Sequence, residues 1–254
     1  MIRERYDLTG KLALVTGASR GIGEAAAIGL AEAGADLVLV SRKMDGLSDV
    51  AKKVGSLGRR AVCIPTNIGT ETEIEALGEK LAKDDLLPDI LVNNAATNPA
   101  MGTLLETPDS AWQKVLDVNL TGPLRLCRKI VPLMRKKGGG AIVNVASIGG
   151  LRPPAFLGAY GVSKAGLLFL TKVLAVELAR YQIRVNCVAP GLVRTQFSKA
   201  LFDNEMIYKG AISSIKMGRH GEPEEIASVI LMLASPASSF MTGEVIVIDG
   251  GAIL

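Results

Sequence analysis

The chain has 254 residues, 48% of them hydrophobic and 21% charged, the composition of one folded α/β domain and not of a disordered chain. Its 29 Lys and Arg exceed its 25 Asp and Glu by four. That surplus forms no basic stripe, so nucleic-acid binding lacks support beyond the charge itself.

From the start of the chain, residues Met1 to Asp7 mix charges with no apolar core, so no secretory leader is expected. No apolar run approaches the ~18 residues of a membrane span. Cys63, Cys127 and Cys187 lie far apart with no CxxC pairing, which points to free, buried thiols in a reducing, cytoplasmic setting. Short runs rich in Val, Ile and Leu recur at 12–15, 36–40, 61–64, 90–92, 141–145, 183–188 and 244–248. They lack polar alternation, as strands buried on both faces of a parallel sheet do. Helical spacing fills the stretches at 22–33, 71–83, 124–136 and 161–180. The alternation predicts one Rossmann-type domain over residues 1–254, a doubly wound, seven-stranded parallel sheet flanked by helices.

The first strand runs into Thr16-Gly17-Ala18-Ser19-Arg20-Gly21-Ile22-Gly23, which opens a helix. A tight turn, a close backbone approach to a pyrophosphate and helix–sheet packing each require glycine here, and the anion then meets free N–H groups at a helix N-terminus. The second strand ends Val40-Ser41-Arg42-Lys43, without the carboxylate that an NAD ribose usually meets. Arg42, with Arg20, can instead grip a 2′-phosphate, which favours NADP(H).

Asn119 lies in a helical stretch where Asn is a mediocre helix former, which predicts a kink or a held water. Ser147 follows the fifth strand at the carboxyl edge, where open α/β sheets bind ligands. Tyr160 and Lys164 are four residues apart on one helix face. A neighbouring ammonium is expected to lower the Tyr160 pKa toward the range a general acid–base needs. Residues 195–217 break the alternation and carry Phe197, Leu201, Phe202, Met206, Ile207 and Tyr208. A helical pair packed on the core would account for them, but their place after the sixth strand favours a substrate lid. His220 is the only histidine, so no multi-histidine metal site or Ser-His-Asp triad is available, and a solvated loop is expected for it.

Taken together, Thr16-Gly17-x-x-x-Gly21-x-Gly23, Asn93-Asn94-Ala95-Ala96, Asn119, Ser147, Tyr160-x-x-x-Lys164, Pro190-Gly191-x-x-x-Thr195 and Thr242-Gly243…Asp249-Gly250-Gly251 resemble the short-chain dehydrogenase/reductase family over the whole chain. Within it, the stretches 93–99 and 189–198 are similar to NADPH-dependent carbonyl and retinal reductases of the dehydrogenase/reductase member 4 type. The resemblance implies reduction of a ketone or aldehyde by hydride transfer, with Tyr160 as general acid/base. Lys164 would contact the nicotinamide ribose, Ser147 would orient the carbonyl, and Asn119 would hold a relay water. Gly17, Ser19, Arg20, Gly21, Ile22, Gly23 and Arg42 would bind the cofactor's phosphates. Asn67, Ile68, Asn94 and Ala95 would lie on its adenosine side, and Pro190, Val193 and Thr195 beside the nicotinamide.

Two positions depart from the family pattern: Ala96 often stands as Gly and Asn67 often as Asp. 3-Oxoacyl-acyl-carrier-protein reductase shares every catalytic motif and is the alternative. A scaffold that had lost the chemistry should lack Ser147, Tyr160 or Lys164, and all three are present. The resemblance also implies a homotetramer joined through the helices near 110–136 and 158–180 and the apolar closing strand.

Overall fold

The computed structural model describes residues 1–99, 101–203 and 205–254. Seven strands form one parallel sheet in the order β3-β2-β1-β4-β5-β6-β7. They are β1 (Leu12–Thr16), β2 (Asp36–Ser41), β3 (Ala61–Pro65), β4 (Ile90–Asn93), β5 (Gly140–Val145), β6 (Ile183–Pro190) and β7 (Val245–Ile248). All seven expected strands are present. Most run one or two residues further at the carboxyl end than their apolar runs, because Thr16, Ser41, Pro65, Asn93 and Pro190 still pair through the backbone.

Helices cover both faces, and the reason is visible in single strands. In β1, Ala13 and Val15 join one core while Leu12 and Leu14 join the other; β2 divides in the same way into Leu37 and Leu39 against Val38 and Val40. With a period of two and both faces apolar, each strand needs a helix layer above and below. The first layer holds α1 (Gly21–Glu32), α2 (Met44–Ser56) and α9 (Pro223–Ala234) through Leu30, Val50 and Ile230. The second holds α3 (Glu71–Lys83), α5 (Gly122–Lys136) and α6 (Gly158–Leu178) through Leu77, Ile130 and Leu174. Each such side chain stabilises the fold by about 1.5–3 kcal/mol when fully buried.

Three shorter helices complete the set: α4 (Asp109–Leu116), α7 (Lys199–Phe202) and α8 (Glu205–Ser214). A π-helical turn, Asp117–Thr121, joins α4 to α5. The chain order reverses between β1 and β4, and this switch point opens a crevice at the carboxyl edge, the usual ligand position in open α/β sheets.

Candidate active site

On one wall of the crevice stands the glycine turn. Gly17 and Gly21 have φ of 64° and 59°, a left-handed backbone that costs glycine nothing. Gly23 is held to glycine by space, since a Cβ there would lie 2.2 Å from Gly17 O and 2.4 Å from Asn94 Nδ2. Asn94 fills that gap. Its Nδ2 donates to Thr16 O at 2.9 Å and to Gly17 O at 3.3 Å, while Thr16 Oγ1 accepts from the N–H groups of Asn94 and Ala95. The end of β4 and the turn after β1 are thereby one unit.

The N-terminus of α1 follows, flanked by Arg20 in an extended conformation and with no side-chain cap. Its first N–H groups have no side-chain acceptor, which suits an anion. Ser19 packs beneath the start of α2, close to where a Gly46 Cβ would be, and Ile22 is half-buried at the turn. Arg20 and Arg42 are both exposed, and the Ser41 hydroxyl beside Arg42 donates to Lys43 O at 3.1 Å.

Asn67 is occupied locally. Its Nδ2 donates to Thr70 Oγ1 at 3.0 Å, its Oδ1 accepts from Gly69 N at 3.2 Å, and its N–H donates to Glu73 at 2.6 Å. Ile68 is buried in the core. From the far side of the crevice, the loop after Pro190 brings Thr195 within 3.1 Å of where a Gly21 Cβ would stand. Val193 is buried, and its carbonyl accepts from Ser198 Oγ at 2.6 Å.

Ser147, Tyr160 and Lys164 meet at the ends of β5 and α6. Ser147 starts a short turn by accepting from Gly149 N at 3.0 Å. Gly150 presses that turn onto α6: a Cβ there would lie 2.7 Å from Lys164 C and Ala165 N. Lys164 is 2% exposed. Its Nζ donates to Val145 O at 2.7 Å and lies 5.6 Å from the Tyr160 ring centroid. Burial pulls the ammonium down to about 8, with Cys187 acting the other way.

The expected effect of Lys164 on Tyr160 is not found. Burial pushes the phenol up to about 12, and the opposing influence is the Ser147 hydroxyl. The reason is geometric: the ammonium is turned toward a backbone carbonyl and sits beside the ring, away from a direct bond to the oxygen.

Asn119, fully buried in the π turn, differs from expectation as well. Its Oδ1 accepts from Thr97 N at 2.8 Å, and its Nδ2 donates to Thr97 O at 3.0 Å and to Ser163 Oγ at 3.1 Å. Both amide hydrogens are taken, so the side chain has none to offer a water. Ser163 in turn donates to Tyr160 O at 2.7 Å. Ser163 and Thr97 were not among the expected site residues. Ser163 sits within Tyr160-Gly161-Val162-Ser163-Lys164, where its burial alone would have marked it.

Behind the cluster, Asn93 donates to Asn144 at 2.8 Å and Asn144 to Thr171 at 2.9 Å, with Asn93 Oδ1 buried and unpartnered among the described residues. Cys127 and Cys187 are buried as expected, and Cys63 is partly exposed.

Segment 195–217 carries α7 and α8, and the Phe197 ring lies 5.7 Å from that of Tyr160. A cleft of about 360 Å³ is lined by Arg194, Thr195, Gln196, Lys199, Phe202 and Tyr208. The side chains of Leu201 and Ile207 lie outside the described ones. His220 is not solvated: its ring is held among Tyr208, Arg194, Glu222 and Phe202. Sequence distance hid this, since two of those partners are 26 and 12 residues away. Among the described residues there is no cluster of His, Cys, Asp and Glu able to hold a metal, and no helix long and apolar enough to cross a membrane.

A family model described as enoyl-(acyl carrier protein) reductase matches residues 17–252. The chain belongs to the short-chain dehydrogenase/reductase family. Dehydrogenase/reductase SDR family member 4 of Oryctolagus cuniculus is 39% identical over 251 residues, covering 99% of this chain and 96% of that protein. A short-chain type dehydrogenase/reductase from Mycobacterium marinum superposes with a TM-score of 0.93 at 37% identity, over 100% of this chain and 99% of that one. The Pseudomonas aeruginosa RhlG/NADP active-site complex gives 0.91 at 36% identity, over 98% and 99%. As a member of this family the chain is an oxidoreductase, and the family works with nicotinamide cofactors.

Proposed function

We propose that this chain is an NADP(H)-dependent carbonyl reductase that converts a ketone or aldehyde to an alcohol. The observation that carries this reading is the meeting of Ser147, Tyr160 and Lys164 at the carboxyl edge, across the crevice from an uncapped helix N-terminus. The crevice fits a dinucleotide phosphate on its own terms. Gly17, Gly21 and Gly23 keep the turn clear of side chains, the first N–H groups of α1 face an anion, and exposed Arg20 and Arg42 suit a 2′-phosphate. Gly17, Ser19 and Ile22 would line the pyrophosphate, Asn94 and Ala95 the adenosine side, and Pro190, Val193 and Thr195 the nicotinamide. For Asn67, whose side chain is already bonded, a contact would pass through the backbone beside Ile68.

Bound nicotinamide supplies the hydride. The protein's part is to place a carbonyl and give its oxygen a proton. Tyr160, raised to about 12, stays protonated at neutral pH, which is the form a general acid needs. Ser147 donates to the same carbonyl oxygen and steadies the charge that develops there. Lys164, with a pKa near 8, is partly charged at neutral pH and holds the ribose. Asn119 acts through Ser163, fixing the first turn of α6 that carries Tyr160.

Residues 195–217 form the lid over the substrate, with Phe197 as its contact with Tyr160. The name of the relative, dehydrogenase/reductase SDR family member 4, and the NADP in the RhlG complex support the reductase and cofactor readings. A homotetramer is supported by an apolar stripe on α6: Val162, Phe169, Val173 and Val176 are exposed on one helix face, as an interface would be before assembly.

The test is Tyr160→Phe, which keeps the ring and removes the hydroxyl. With NADPH and a panel of ketones, diketones, quinones and acetoacetyl thioesters, kcat should fall by ~10²–10⁴ while NADPH fluorescence titration is unchanged. Retention of more than about a tenth of parental kcat would remove Tyr160 from its role. Turnover confined to acetoacetyl thioesters would move the enzyme to the acyl-carrier-protein reductases.

A further inference from the structure

Outside the Tyr160 cluster, one knot of side chains joins parts far apart in the chain. His220 has a side chain only 13% exposed. Its Nδ1 lies 2.9 Å from the Tyr208 hydroxyl in α8. Its Nε2 lies 3.1 Å from Arg194 Nε and 3.1 Å from Glu222 Oε1. The imidazole meets the Phe202 ring edge-on, with centroids 5.2 Å apart, and the Arg194 guanidinium lies 5.5 Å from the centre of the same ring.

The donor and acceptor roles follow from chemistry. An arginine Nε can only donate, so Nε2 accepts, and the ring hydrogen sits on Nδ1, where it donates to the Tyr208 oxygen. Glu222 then faces Arg194 and the imidazole as an acceptor with no hydrogen from Nε2. Accepting on one edge and donating on the other is within reach of a neutral imidazole; an aliphatic side chain of similar volume can do neither.

The backbone beneath the histidine is already fixed. Val193 bridges to Gly221, Arg194 N donates to Gly221 O at 3.0 Å, and Gly221 N donates to Leu192 O at 2.9 Å. Arg219 holds the His220 carbonyl at 3.0 Å and pairs with Glu225 of α9. His220 therefore stands on a rigid loop and reaches out to a segment with no strand of its own. That segment is fastened at both ends, by Arg194 just before Thr195 and by Phe202 and Tyr208 beyond it. Between the fastenings lies Phe197, 5.7 Å from the Tyr160 ring.

We infer that His220 is a positioning residue: it latches residues 195–208 to the loop before α9 and so sets where Phe197 stands beside Tyr160. The inference rests on the reading of 195–217 as the substrate lid. His220 touches no reacting atom; it acts through Arg194 and Tyr208 on the wall that the carbonyl's substituents meet.

Hydrogen exchange and steady-state kinetics test it together. His220→Leu keeps the volume against Phe202 and removes both hydrogen bonds. Exchange over 197–209, measured without substrate, should quicken about tenfold while β5 and α5 keep their protection, since two hydrogen bonds of ordinary net strength are lost. KM for the ketone should rise about tenfold, with kcat and NADPH affinity within about twofold. His220→Gln, which still offers Arg194 an acceptor, should recover part of both effects. Tyr208→Phe, which deletes one hydroxyl, should show about a fivefold change in exchange and serves as the deciding variant if His220→Leu does not fold. Unchanged exchange over 197–209 in a folded variant would overturn the latch, as would kcat and kcat/KM falling in equal proportion. Because exchange needs no turnover, a fully active Tyr160→Phe enzyme would remove the proton donor and leave the latch standing.

Discussion

The two edges of the sheet are built on opposite rules. At the amino edge, Asp89 is 7% exposed and fully answered. Its carboxylate accepts from Leu12 N at 2.9 Å, Lys11 Nζ at 3.2 Å and Lys137 Nζ at 2.5 Å. Burial pushes that carboxyl up, yet Lys137, the Leu12 N–H and Lys11 together hold it below its ordinary value. At the carboxyl edge the polar groups are left with work undone. Lys164 is buried on one carbonyl, Tyr160 is pushed up to about 12, and α1 begins without a side-chain cap. Asn93 Oδ1 has no partner among the described residues. A paired buried charge stabilises; an under-paired one costs stability and keeps its chemistry available. The contrast locates function at one edge and stability at the other without reference to any relative.

The contrast breaks if substitutions at the two edges behave alike. Lys164→Met should have the largest effect, lowering kcat by at least ~10², within the range for losing a positioned group, and weakening NADPH binding in fluorescence titration. Asp89→Ala should leave kcat almost untouched and destabilise the protein by about 2 kcal/mol in urea melts, since it strands two ammoniums and an N–H. Its contribution is present above about pH 4 and fades as pH falls, because the folded carboxyl titrates below the unfolded one. Arg42→Ala sharpens the picture at the crevice. kcat/KM with NADPH should drop by about tenfold or more, while the value with NADH is nearly unchanged.

The smallest effect is the most diagnostic. Burial takes Lys164 from 10.5 to about 8, so at neutral pH its charge costs on the order of 3 kcal/mol. Lys164→Met removes that cost and strands Val145 O, for a net gain of about 1 kcal/mol in apoprotein stability at pH 7. The unfolded lysine binds more protons than the folded one between about pH 8 and 10.5, so the parent gains stability across that window. The variant's advantage should therefore shrink over the same range in paired urea melts. A variant less stable than the parent at pH 7 would contradict the assignment of strain to this edge.

What the sequence made legible follows from what is local. Apolar runs without alternation marked all seven strands, and the glycine turn, Ser147, Tyr160 and Lys164 fell where strand ends and helix starts put them. Burial and long-range pairing were not legible. Nothing in the spacing of Tyr160 and Lys164 tells that the ammonium turns to Val145, nor that the phenol is raised and not lowered. Asn119 announced an irregular helix by its poor propensity, but its bonds to Thr97 and Ser163 are contacts across 22 and 44 residues. His220 looked idle because its partners, Arg194 and Tyr208, lie in other elements. The start of α9 had a local signal, Glu222-Pro223-Glu224-Glu225, that forms a capping box.

The π turn at Asp117–Thr121 makes the chain's length, as well as its composition, a part of its specification. Such a turn fits one residue more into the helical path than regular winding would. Removing any one of the five would let α4 and α5 fuse into an ordinary helix, and every local propensity would improve. Yet all that follows would turn by about 100° against all that precedes, carrying Leu126, Ile130 and Leu133 away from the sheet they now cover. Here a deletion of one residue would be more damaging than most substitutions of it, and a surplus residue is the one the fold cannot spare.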